Sequence, residues 1–102
     1  MTIEEVKVIL AKLGKTDEEI RQSLAEKGIK GYKCDSDNCP LTVYMDSEGV
    51  VCPSVSKKYV FFGEYRIQNF ESQCFVPSKE FVDFIKKFDN GKYPELVKSH
   101  LP

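Results

Sequence analysis

The sequence predicts an α+β fold in one domain, residues 1–102. It comprises an N-terminal helix pair, a short third helix, a small antiparallel β-meander of three to four strands and a closing C-terminal helix. Three observations carry that expectation. Apolar residues recur at three- and four-residue steps from Ile3 to Leu24. The apolar spacing shortens to two after Gly49. A helical stripe then returns at Phe81.

The first helix is expected over about residues 2–13. Thr2 and Glu5 have capping-box spacing, at which each side chain satisfies a backbone N–H of the other residue. Ile3, Val6, Leu10 and Leu13 share a face, and Gly14 is a stop signal. Residues 17–27 repeat the design, with Thr16 and Glu19 as the box, Ile20 and Leu24 as the stripe and Gly28 as the end. The link Gly14-Lys15-Thr16 is short enough to set the two helices antiparallel or crossed.

The glycine-punctuated connector EKGIKGYK leads into KCDSDNCPLTVYM, where a third helix is expected over about 39–47. Asp37, Asn38 or Cys39 caps it, and Pro40 occupies the first turn, where a missing N–H costs nothing. Leu41, Tyr44 and Met45 fall on one face, and Gly49 ends the element.

Strands are expected within residues 50–76. VVCPSV reads as an edge strand, because Pro53 cannot donate to a ladder. KYVFF is a stronger strand. EYRIQNF alternates Glu64, Arg66 and Gln68 outward with Tyr65 and Ile67 inward, the period-two pattern of a half-buried strand. SQCFV supplies a last strand, with turns at Lys57-Lys58 and at Gly63. The final helix covers about 79–89. Ser78 is its N-cap, Phe81, Phe84, Ile85 and Phe88 form its stripe, and Asn90-Gly91 ends it. Tyr93 and Leu96 are expected to pack back on it.

Composition excludes several classes. Five tyrosines and seven phenylalanines supply ample apolar surface, so disorder is not expected. Even an apolar run as long as Tyr59-Val60-Phe61-Phe62, matched in length by Val8-Ile9-Leu10-Ala11, is far short of the roughly 20 residues of a membrane helix. MTIEEVKVIL carries two early acids and no small-residue cleavage site, unlike a secretory or transit peptide. A cytoplasmic protein with reduced cysteines is the expectation. Fifteen basic residues balance sixteen acidic ones, and no segment concentrates the basic charge that a phosphate-binding surface uses. The helix pair superficially matches a DNA-reading helix-turn-helix, but the open face of its second helix offers Glu18, Arg21, Gln22 and Glu26, whose acids repel phosphate. Nucleic acid is therefore not the expected partner.

The four cysteines match the ligand count of a tetrahedral zinc site. Their spacings do not form two tight knuckles: 4, 12 and 21 residues separate Cys34, Cys39, Cys52 and Cys74. The plainer reading is reduced thiols and no cofactor, with the four-cysteine zinc site as an alternative. Cys39 has a separate case as a reactive thiol. A helix N-terminus stabilises a thiolate, and Cys34 stands across the loop as a resolving partner; Asp35 and Asp37 oppose that charge. The single histidine, His100, lies near the chain end, where a catalytic base lacks fixed geometry. No phosphate-binding glycine loop is present, and Glu4-Glu5 and Glu18-Glu19 are explained as acids complementing helix dipoles.

LAEKGIKG, NCPLTVYM and FVDFIKKFDNGKYPEL give the chain a resemblance to a loose group of short bacterial and phage proteins of uncharacterised activity. The shared pattern is G-I-x-G after a helix, C-P-L-x-x-Y at a helix start and F-D-N-G-x-Y-P-x-L at the close. The resemblance covers most of the chain and is weakest between residues 50 and 76. It implies no activity, and it gives Cys39-Pro40 a larger share in the common layout than Cys34, Cys52 or Cys74.

These readings point to a non-enzymatic interaction protein, a phage- or plasmid-borne regulator or inhibitor of a host protein, acting as a monomer or homodimer without a membrane. Tyr32, Tyr59 and Tyr65 are the candidate interface residues, since tyrosine serves interfaces as well as cores. A thiol- or zinc-dependent protein using Cys39 and Cys34 is the second reading, and a nucleic-acid-binding helix pair the third.

Overall fold

The computed structural model describes residues 1–65 and 70–98. Thr2 opens helix α1 (Ile3–Ala11) through the complete reciprocal box with Glu5. Helix α2 (Asp17–Glu26) starts at Thr16, whose hydroxyl accepts the Glu19 N–H at 3.1 Å. The second box differs from the first. The Glu19 carboxylate takes the Lys15 N–H at 3.1 Å, where the box pattern puts the Thr16 N–H. The turn at Gly14 bends the chain tightly over this helix: a Cβ at Gly14, whose φ is +137°, would sit 2.5 Å from the Glu19 Cβ. Ser23 then donates to the Leu13 carbonyl at 2.6 Å and fixes the two helices at the link.

Helix α3 (Pro40–Ser47) begins at Cys39, which makes no side-chain cap bond. Its buried face carries Leu41, Tyr44 and Met45, as their spacing requires. The Tyr44 hydroxyl donates to the Ile9 carbonyl at 2.8 Å and ties α3 to α1.

Three antiparallel strands follow in the order β1 (Ser54–Val55), β2 (Val60–Tyr65) and β3 (Phe70–Phe75). Of the expected strand VVCPSV, only Ser54–Val55 pair with β2; β1 is an edge, as Pro53 implied. Ser56 closes the turn at Lys57-Lys58 by accepting the Lys58 and Tyr59 N–H groups on its hydroxyl. Gly63 is not a turn. It lies inside β2 opposite Ser72, and its N–H donates to Val51 at 3.0 Å, beyond the end of β1. Nor is EYRIQNF one strand, since Tyr65 pairs with Phe70 across an antiparallel ladder. A period-two pattern is equally satisfied by one strand or by the two arms of a hairpin. The side-chain directions expected along residues 64–68 fall outside what is described.

Helix α4 (Lys79–Asp89) closes the fold with Phe81, Phe84, Ile85 and Phe88 buried. Tyr93 and Leu96 do pack back, the latter from a single 3₁₀ turn, Pro94–Leu96. The Tyr93 ring stacks on Phe84 with centroids 5.3 Å apart. One core joins all four helices to the inner sheet face, where Val55, Val60 and Phe62 are buried. On the outer face, Tyr59, Phe61 and Cys74 are exposed. No helix among the described residues is long and apolar enough to cross a membrane.

Candidate functional site

Two regions hold the residues singled out from the sequence. In the first, GIKG, the NCPLTVY helix start and the FDNGKYPEL close are brought together. Gly31 donates to the Leu96 carbonyl at 2.9 Å and accepts the Lys98 N–H at 2.8 Å. Its other side abuts the entry to α3. A Cβ there would fall 2.3 Å from the Asn38 oxygen and 2.6 Å from the Pro40 nitrogen, so only glycine fits.

The loop between Gly31 and Cys39 is closed from within. Asn38 donates its N–H to the Asp35 carbonyl at 3.1 Å, and Tyr32 donates to the Asn38 carbonyl at 2.8 Å. The Asp35 carboxylate accepts from the Asp37 N–H and the Asn38 amide, both at 3.1 Å. Cys34, with a left-handed φ of 55°, donates its N–H to the Asp89 carboxylate at 2.9 Å and anchors the loop to the end of α4.

Thr42 holds the loop to the sheet. Its hydroxyl donates to the Ser36 carbonyl at 2.5 Å and accepts the Val55 N–H at 3.1 Å. The Cys39 sulfur lies 3.3 Å from the same hydroxyl and 3.7 Å from the Val55 carbonyl. Sequence reasoning passed over Thr42. The signal was a threonine amid the apolar residues of a short helix, where a buried hydroxyl must find partners.

Cys34, Asp35, Cys39, Val55, Lys57 and Asp89 help to line one cleft of about 310 Å³. Cys39 lies beneath it, 4% exposed, while Cys34 is exposed. Burial pushes the Cys39 thiol up; the Thr42 contact opposes this without reversing it, and the Asp89 charge adds to the rise. The structure therefore gives Cys39 the opposite of the thiolate character expected at a helix start, because desolvation outweighs the helix terminus. Cys52 and Cys74 do not line this cleft, and both are exposed. Cys52, also left-handed at φ 48°, precedes Pro53, and Cys74 stands opposite Phe61 in the sheet. Among the described residues, no group of three or more His, Cys, Asp and Glu side chains is gathered as a metal would require. His100 lies outside the described residues.

The second region is the outer sheet face. Tyr59 and Phe61 are 46% and 41% exposed, and their rings touch with centroids 5.5 Å apart. Exposed Cys74 lies opposite Phe61, and exposed Lys57 and Lys58 form the adjoining turn. Alternation along KYVFF puts Phe61 on the face of Tyr59, so the sequence held this pair although only Tyr59 was singled out. Tyr65 ends β2 opposite Phe70. Tyr32 belongs elsewhere: it is half-buried in the loop, with the Lys98 ammonium 5.8 Å from its ring centre.

On α2, Arg21 is engaged by Glu18 and by Glu95, the latter at 3.2 Å, and Gln22 by Glu26 at 3.3 Å. The cation that a DNA-reading face would use is thus paired with acids. No family model, curated protein or solved structure matches the chain.

Proposed function

We propose that the protein is a non-enzymatic interaction domain that binds another protein through the outer face of its sheet. The single observation supporting this is the exposed Tyr59–Phe61 pair. Two large rings held in contact on a strand offer rigid apolar area at little entropic cost, as interface anchors do. The inner face of the same strands is buried by the helices, so these rings are not needed to fill the core.

The partner is a host protein, and the domain acts in the cytoplasm as its regulator or inhibitor, in keeping with the resemblance to short phage and bacterial proteins. No metal or other cofactor takes part. Among the described residues β3 pairs only with β2, and its outer edge is the strand through which a homodimer would form. Nucleic acid is disfavoured by the paired state of Arg21 and the balanced charge.

Affinity capture with two baits tests the reading. The native chain should retain one partner in stoichiometric amount, and Tyr59→Ala/Phe61→Ala should lose it while keeping its thermal melt. Retention of the same partner by both baits, or of none by the native chain, refutes the reading.

A further inference from the structure

We infer that Cys34 and Cys39 are a paired thiol site that closes to a disulfide, Cys34 being the thiol a hydroperoxide oxidises and Cys39 the one that resolves it. Their common cleft is the first ground. The second is the chain path. The two cysteines flank the turn Asp35–Asn38, closed by the 3.1 Å bond from the Asn38 N–H to the Asp35 carbonyl. The 2.8 Å bond from Tyr32 to Asn38 folds the incoming strand of the loop against the outgoing one. The four residues between the cysteines thus turn back rather than extend.

The roles follow from position. Cys34 is exposed at the mouth, within reach of a small oxidant. Cys39 is beneath, touching the Thr42 hydroxyl and the Val55 carbonyl, where a bulky reagent does not reach it before Cys34. The Cys34 thiolate attacks one peroxide oxygen; the O–O bond breaks, the other oxygen leaves as hydroxide or alkoxide, and Cys34 becomes a sulfenic acid. The Cys39 sulfur then attacks the Cys34 sulfur. The S–O bond breaks, and the departing oxygen leaves as water with the Cys39 proton. Two electrons pass from the thiols to the peroxide.

Neither step depends on the sheet-face reading. The test uses Cys52→Ser/Cys74→Ser, which changes only exposed thiols and leaves the proposed pair. Treated with hydrogen peroxide, the monomer should lose the mass of two hydrogens and both free thiols. Adding Cys39→Ser should leave Cys34 trapped as a dimedone adduct, and adding Cys34→Ser instead should give neither adduct nor disulfide. Should Cys39→Ser fail to fold, the native chain supplies the order of reactivity: maleimide should label Cys34 faster than Cys39 by on the order of tenfold or more. A monomer that keeps both thiols, disulfide only between molecules, or labelling of Cys39 ahead of Cys34 overturns the inference.

Discussion

The Thr42 hydroxyl accepts the Val55 N–H at 3.1 Å, so one buried side chain on α3 sets the start of β1. The same oxygen donates to Ser36, and Val55 also donates to the Ser36 carbonyl at 3.0 Å. Loop, helix and strand therefore meet at one atom. Thr42→Val keeps the shape and removes the hydroxyl. It should destabilise by about 0.5–1.5 kcal/mol for each hydrogen bond lost, since Val55 and Ser36 keep their bond to each other. The urea midpoint should fall with the slope unchanged, and Thr42→Ser should recover much of the loss. An unmoved midpoint in Thr42→Val would show that the hydroxyl is not needed.

Gly31→Ala tests the convergence of the three motif segments. The added methyl would meet backbone atoms of Asn38, Cys39 and Pro40 within 2.7 Å, and backbone cannot rotate away as a side chain can. A loss of at least about 1–3 kcal/mol is expected, the range for overpacking. Thermal denaturation reads it. A melt equal to that of the native chain would mean the segments are not in contact.

Alkaline pH should unfold the protein. Burial, assisted by Glu48, pushes Tyr44 from 10.0 up to about 12. Burial and the Asp17 carboxylate, which accepts the Tyr93 hydroxyl at 3.0 Å, raise Tyr93 as well. Both folded values exceed the unfolded one. Their stabilisation is therefore complete below pH 10 and is lost as pH rises through the folded values. The melting temperature should fall steeply above pH 10. Tyr44→Phe should start lower, having lost the bond to Ile9, but decline less steeply. Parallel profiles would show that Tyr44 does not carry the effect.

The helices were legible because each has a stripe and boundary residues that act locally. Thr2 with Glu5, the step from Phe81 to Phe88, and Gly91 at φ 81° need no distant partner to be read. The sheet was less so. Gly63 looks like a turn, yet it is held in the ladder by Ser72 and Val51, which lie nine and twelve residues away. The cleft was half legible. Cys34 and Cys39 were seen as a pair, but their roles depend on burial, and the Thr42 clamp depends on Val55, thirteen residues on. Pairings of that reach leave no period in a sequence.

The central claim, that a partner covers the outer sheet face, is tested most directly by thiol footprinting of the complex. Cys74 stands opposite Phe61 on that face, and Cys34 lies at the cleft, so one molecule carries both probe and control. Maleimide labelling of Cys74 should slow by on the order of tenfold or more when the captured partner is bound, while Cys34 labels as in the free protein. Unchanged labelling of Cys74 in the complex would contradict the account and move the interface off the sheet.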